Sequence, residues 1–199
     1  MSKNYPLSFT SASLMPHRSA ALAELYVTLG DWEAVSTRVA TDADLFGLGK
    51  ASTRRRVFNE LRLRLKTLHA DEFELLAAGG AKAKRLLSWQ AVCRSYPFIG
   101  TFTREVLLPK LERFDPVILN SDYRAFYREQ TLVHGKLDRI TETTRLKLES
   151  QTFGMLAEAG LIRSVKDRQI TPPLPSPKLC TRVRAHDPAY LNYWLLSAL

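Results

Sequence analysis

The chain of 199 residues is short of cysteine and has no long apolar segment. Its two cysteines, Cys93 and Cys180, lie far apart and in no metal-ligand spacing, which is typical of a reducing compartment without a disulfide framework. No apolar run approaches the ~20 residues of a membrane-spanning helix. The first twenty residues also lack the apolar core of a secretory signal. We therefore expect a soluble, cytoplasmic protein that does not enter the membrane.

The signature motifs of common enzyme classes are absent as well. The sequence has no Walker A loop, no G-x-G-x-x-G, no H-E-x-x-H and no G-x-S-x-G. The four histidines are dispersed, each near a predicted helix end, where a lone histidine usually serves as a solvated or capping residue. Cys93 falls on the apolar stripe of its helix, as expected of an unreactive core thiol. We predict no catalytic residues, no cofactor and no metal site.

Positive charge, in contrast, is abundant. The chain has 29 Lys and Arg residues against 20 Asp and Glu residues, which gives a formal net charge of +9. An excess of this size favours a polyanionic partner, which could be DNA, RNA or an anionic membrane surface. Charge alone does not choose among these partners.

The charge is densest in the segment 49–66, where a basic face lies opposite an apolar helical stripe. Apolar residues recur from Val57 to Leu68 at i, i+3 and i+4 spacing, and Ser52 and Thr53 stand where a helix N-cap is expected. Arginines near the start of a helix interact unfavourably with the positive end of the helix dipole. Their presence there indicates that the positive charge serves to bind a partner, and the alternative is an ordinary solvated basic face. The residues predicted to meet base edges or phosphates are Ser52, Thr53, Arg55, Arg56, Asn59, Arg62 and Lys66.

Two smaller basic clusters follow in the sequence, one at a predicted helix start and one in a turn between two short apolar stretches. The second pattern resembles the wing of a winged-helix domain, and its residues could touch phosphate or the minor groove. Contacts to phosphate would make the affinity fall steeply with salt, whereas two solubilising surfaces are the alternative. The clusters consist of Lys82, Lys84 and Arg85, and of Arg163, Lys166 and Arg168.

Helical periodicity and helix-stop residues predict an all-α, compact multi-helix bundle. We divide it into a helix-turn-helix-like region at 1–69, a central helical region at 70–135 and a C-terminal region at 136–199. In the first region Gly30 is expected to end one short helix and Asp31 to cap the next, ahead of the basic third helix. The C-terminal region is predicted to be winged-helix-like, with at most a small β wing and a terminal helix.

Several short patches, in a fixed order along the chain, carry a resemblance to a known family. The patches are Asp31-Trp32, 60–65 (ELRLRL), 87–99 (LSWQAVCRSYPFI), 122–126 (DYRAF), 140–144 (ITETT) and 155–162 (MLAEAGLI). With these patches the chain resembles the BrxA family of bacteriophage-exclusion (BREX) phage-defence systems over nearly its whole length. The resemblance implies a small, mostly helical, non-enzymatic component that binds double-stranded DNA through helix-turn-helix-like elements, beside other BREX subunits.

Together these observations predict a DNA-binding BREX component that is monomeric on its own and has little sequence preference. One alternative is a protein-interaction adaptor, whose basic faces would meet an acidic protein and whose apolar C-terminal helix would dock on a partner. Another is an RNA-binding helical protein, although the sequence has no aromatic-rich RNP strand.

Overall fold

Helices make up the regular secondary structure of residues 5–42 and 47–197, the part of the chain that this computed structural model describes. The all-α class predicted from the sequence is confirmed. In chain order the α-helices are α1 (Pro16–Leu29), α2 (Trp32–Thr41), α3 (Ala51–Leu65), α4 (Ala70–Ala78), α5 (Ala81–Ser95), α6 (Pro97–Phe102), α7 (Leu108–Glu112), α8 (Asn120–Val133), α9 (Gly135–Asp138), α10 (Glu142–Ala159) and α11 (Pro177–His186). Within the same residues, Ser8–Ser11 and Pro188–Trp194 form 3-10 helices and Thr103–Leu107 forms a π-helical turn.

The turn between the first two helices confirms the predicted stop and start residues. Gly30 ends α1 in the left-handed region, with φ of 71°, and its N–H donates to the carbonyl of Tyr26. The Asp31 carboxylate then accepts hydrogen bonds from the N–H groups of Glu33 and Ala34. A glycine and an acid-capped start therefore fix how α1 passes into α2.

The start of α3 differs from the prediction. The helix begins at Ala51 with Lys50 as its N-cap, and the Lys50 side chain makes no capping hydrogen bond. Ser52 and Thr53 lie inside the first turn, so the prediction that they stand at the N-cap position is wrong. The N–H groups of that first turn thus donate no hydrogen bond to the side chain of the N-cap residue.

One continuous cluster of buried apolar side chains runs from Tyr5 to Leu195 and includes most helices. Two tryptophans join the C-terminal 3-10 helix to α5. Trp89 donates its indole N–H to the carbonyl of Tyr193 at 2.8 Å, and Trp194 donates to that of Leu86 at 3.0 Å. The core crosses all three predicted regions, whose boundaries stay a prediction.

The predicted wing has little β structure. In the described residues, isolated antiparallel bridges join Ile162 to Ile170 and Val117 to Gln169. Gly160, at φ of 75°, ends α10 and turns the chain into this hairpin. The short stretches agree with at most a small β wing, and the winged-helix interpretation stays a prediction. No helix in the described part of the chain is long and apolar enough to span a bilayer.

Candidate nucleic-acid interface

The arginines of α3 divide into two kinds, and Arg64 shows the first kind most clearly. It is buried, and its Nε donates to Oε1 of Glu60 at 2.8 Å. Its Nη atoms donate to the carbonyl oxygens of Ser13 at 2.6 Å and Ala12 at 2.8 Å. Arg64 therefore holds the N-terminal segment against α3 and is not available to a ligand.

Glu60, the partner of Arg64, is itself only 7% exposed. The hydroxyl of Tyr96 donates to its Oε1 at 2.5 Å. Burial and this hydrogen bond to the carboxylate raise the pKa of Tyr96 to about 12. The carboxylate is thus satisfied by one cation and one phenol, and α3 is fixed to the end of α5.

Arg54 is the second buried arginine of α3. Its guanidinium donates to the carbonyl oxygens of Ala40, Leu48 and Gly49 at 3.0–3.2 Å. These bonds tie the end of α2 to the segment that precedes α3. Arg54 and Arg64 therefore serve the fold and add no free positive charge to segment 49–66.

The other kind of arginine lines an open groove of about 1050 Å³ between α2 and α3. Arg55 and Arg56 are exposed there and make no ion pair with any described residue. Ser52 and Asn59, both exposed, line the same groove. Four of the residues predicted from the sequence thus share one surface.

The remaining predicted residues of α3 lie at its margins. Thr53 is half-buried. Arg62 is also half-buried, with its guanidinium carbon 5.4 Å from the centre of the Phe58 ring. Lys66 is exposed just after the helix, where it borders a second, smaller pocket. We call Ser52, Arg55, Arg56, Asn59 and Lys66 the α3 face.

The cluster at the start of α5 is less free than the sequence indicates. Lys82 donates its Nζ to the carbonyl of Leu174 at 2.8 Å, which ties α5 to the proline-rich segment. Lys84 is half-buried, and Arg85 is exposed next to Gly160. These three side chains lie on a different helix from the α3 face, and one of them already has a structural role.

The predicted wing residues are also partly engaged within the molecule. Arg163 pairs with Asp167 at 3.0 Å across the turn. Arg168 lies over the Phe153 ring at 3.7 Å and donates to Oδ1 of Asn120 at 2.6 Å. Lys166 alone of the three is exposed without an ion-pair partner among the described residues.

Sequence reasoning missed a basic pair on α8. Arg124 and Arg128 are exposed and stand one helical turn apart. The signal was available, because an i, i+4 pair of arginines on a predicted helix shares one face. Asn120, one turn earlier, contacts Arg168, so the pair lies on the helix that supports the wing.

The histidines, dispersed in the sequence, form one pair in the structure. His69 and His186 stack with ring centres 3.8 Å apart, and Nε2 of His186 lies 2.6 Å from Oδ1 of Asp71. No group of three or more His, Cys, Asp or Glu residues in the described part of the chain is arranged to hold a metal ion. Burial raises the pKa of the Cys93 thiol, which disfavours the reactive thiolate.

Comparison with known proteins decides the family. The BrxA family model matches residues 3–187. The chain belongs to the BrxA family. The resemblance in the sequence patches is thereby confirmed, and this BrxA family member is part of a BREX phage-defence system. The matched range contains every α-helix from α1 to α11 and ends before the C-terminal 3-10 helix.

Two further proteins are similar to the chain, one in sequence and one in structure. The chain is 24% identical over 157 residues to a "BREX protein BrxA" of Escherichia coli O9:H4 (strain HS), covering 79% of this chain and 73% of that protein. It also superposes on the crystal structure of an uncharacterized protein from Magnetospirillum magneticum with a TM-score of 0.79. That match covers 96% of this chain and 97% of the other at 17% identity. It therefore shows that the two proteins share a fold.

Proposed function

We propose that this BrxA family member binds duplex DNA through the α3 face, as a non-enzymatic and monomeric component of its BREX system in the cytoplasm. One observation carries the proposal: Arg55 and Arg56 are exposed and unpaired within the described residues, on the helix whose buried arginines, Arg54 and Arg64, bind backbone carbonyl oxygens. Unpaired guanidinium groups on a fixed surface are suited to phosphate oxygens.

The dimensions of the α3 face suit a duplex. Ser52 and Lys66 are 14 residues apart, which is about 21 Å along an α-helix. A DNA strand advances about 3.4 Å per phosphate along the duplex axis, so the face can follow about six phosphates. The buried bonds of Arg54 and Arg64 hold α3 in place before DNA arrives, which lowers the ordering cost of binding.

Contacts to phosphate are expected to dominate over contacts to bases. Asn59 is the one amide on the face, and amides of this kind read adenine when they reach the major groove. Arg55 and Arg56 near the helix start provide the charge. With one base-reading group against several cations, we propose binding with little sequence preference. Lys166 of the wing adds a secondary phosphate contact.

A protein-interaction adaptor is the second candidate. Its support is the mixed lining of the α2–α3 groove, in which Leu63 is 49% exposed and Val39 forms part of the wall. An acidic segment with one apolar anchor could use the same arginines. This candidate predicts that acidic protein competes with DNA, or replaces it, at the α3 face.

A titration of labelled duplex DNA against a double variant tests the proposal. Arg55→Gln with Arg56→Gln removes two charges from the α3 face, and Arg104→Gln with Arg139→Gln removes two from exposed positions outside it. At about 50 mM salt we expect roughly tenfold weaker binding for the first variant and little change for the control.

Two results contradict the proposal. The first is that the unaltered protein does not bind duplex DNA at low salt. The second is that both double variants lose the same affinity, which would mean that only net charge matters. Absence of DNA binding together with capture of an acidic BREX subunit would favour the adaptor.

A further inference from the structure

A second pocket, of about 520 Å³, opens at the C-terminal end of α3. Its walls contain three aromatic rings from α1, α2 and α4. Tyr26 stacks on Trp32 with ring centres 4.5 Å apart, and Phe73 meets both rings edge-on at 5.3 and 6.0 Å. We call this the aromatic pocket. Its volume lies within the range of about 300–1,000 Å³ that is usual for small-molecule sites.

The aromatic pocket is open to solvent. Tyr26 and Trp32 are half-buried, and Val27 on the rim is 56% exposed. The other tryptophans of the chain, Trp89 and Trp194, are both 0% exposed. An accessible indole therefore distinguishes this pocket from the core of the protein.

The pocket adjoins the α3 face through a shared cation. Lys66 is the last residue of that face and also lines the pocket. One turn earlier, Arg62 lies over Phe58, whose ring centre is 6.3 Å from that of Trp32. Cationic groups suited to phosphate thus stand directly beside aromatic rings.

We propose that the aromatic pocket receives one unpaired nucleobase of a DNA strand that runs along the α3 face. This inference rests on the proposed function. Stacking of a base on aromatic side chains strengthens binding to single strands about 5- to 150-fold per base. Glu74 on the rim can accept a hydrogen bond from an exocyclic amino group, as acids do with cytosine N4. The ligand class is therefore duplex DNA with an unpaired, amino-bearing base.

An apolar side chain of a protein partner could also enter an aromatic pocket. The observations favour a nucleotide, because Lys66 on the rim has no acidic partner among the described residues and supplies the phosphate contact that a nucleotide needs. Tyr26 and Trp32 cover each other on one side, so a base would stack on the outer side of the pair, whereas an aliphatic side chain does not require a flat surface.

The test compares a blunt duplex with the same duplex carrying a short single-stranded cytosine overhang. Tryptophan fluorescence reports the pocket, because Trp32 is the accessible indole. We expect the overhanging duplex to bind about tenfold tighter and to quench the fluorescence, and the blunt duplex to bind without quenching.

A matched pair of variants localises the effect. Ala70 and Ala81 are each the exposed first residue of a helix, α4 and α5, but only Ala70 lines the pocket. Ala70→Phe should remove the preference and the quenching while the affinity for the blunt duplex stays within about twofold; Ala81→Phe should keep both.

Equal affinity for the two duplexes, without quenching, overturns the inference and leaves the proposed function intact. A pocket that takes a protein side chain instead would give that same result. Preference and quenching that persist in Ala70→Phe also overturn it. Failure of the protein to bind either duplex removes the proposed function and the inference together.

Discussion

Replacing Arg64 by methionine should destabilise the protein strongly, whereas replacing the exposed Arg55 of the same helix by methionine should not. The variant keeps most of the buried volume but leaves the Glu60 carboxylate, 7% exposed, without its cation. Removing one partner of a buried ion pair costs about 3–5 kcal/mol. In proteins of about 150–250 residues each kcal/mol moves the melting temperature by about 2–4 °C, so we expect a decrease of about 6–20 °C.

Urea unfolding followed by circular dichroism measures this loss, with Arg55→Met as the matched control. Arg55 is exposed on the same helix, so its replacement should change the free energy of unfolding by less than about 0.5 kcal/mol. Adding Glu60→Gln to Arg64→Met should recover part of the loss, because the unpaired charge disappears. A loss below about 1 kcal/mol for Arg64→Met would refute the structural role of this arginine.

Three further outcomes follow from buried or engaged side chains. Arg168→Gln should lower the free energy of unfolding by about 1–2 kcal/mol, since it removes the hydrogen bond to Asn120 and the stacking on Phe153. Lys166→Gln should change it by less than about 0.5 kcal/mol, and equal effects of the two variants would contradict the structural role of Arg168. A thiol reagent should label Cys180 and spare Cys93 in the folded protein, as mass spectrometry can show, because Cys93 is buried with a raised pKa; rapid labelling of Cys93 would count against this. The folded-state pKa of Tyr96 is raised to about 12 from an ordinary value of 10.0, so the unfolded chain loses the phenol proton at lower pH than the folded chain. The free energy of unfolding should therefore fall as pH rises from about 10 to about 12, and denaturant titrations should show a shallower fall for Tyr96→Phe. No pH dependence in that range would contradict the buried hydrogen bond from Tyr96 to Glu60.

The exposed side of α3 was predictable because helical periodicity alone assigns it. At 100° per residue, Arg55, Asn59, Arg62 and Lys66 fall opposite the apolar stripe. The structure leaves Arg55, Asn59 and Lys66 exposed, whereas Arg62 is half-buried over the Phe58 ring. The turn at Gly30 and Asp31 was predictable for a similar reason, since both signals act within a few residues.

The roles of the buried arginines could not be derived from the sequence. Arg64 binds carbonyl groups about fifty residues earlier in the chain, at Ala12 and Ser13. Arg168 likewise depends on Asn120 and Phe153. Such partners are set by tertiary packing, and backbone carbonyls carry no sequence signal at all.

The aromatic pocket shows the same limit. The three rings belong to separate helices, each on the apolar side of its own helix: Tyr26, Trp32 and Phe73. Nothing in their sequence spacing indicates that the rings contact one another. Their meeting depends on how α1, α2 and α4 pack. Stripes of apolar residues predict that a side is buried, but they do not predict where the burial stays incomplete.

The salt dependence of duplex binding tests the central claim most directly, namely that exposed arginines of α3 neutralise DNA phosphates. Each phosphate contact contributes about 0.9 to the slope of log affinity against log salt concentration. The variant with Arg55→Gln and Arg56→Gln should therefore have a slope shallower by about 1.8, whereas Arg104→Gln with Arg139→Gln should keep the slope of the unaltered protein. An unchanged slope in the first variant, or the same change in both, would contradict the account.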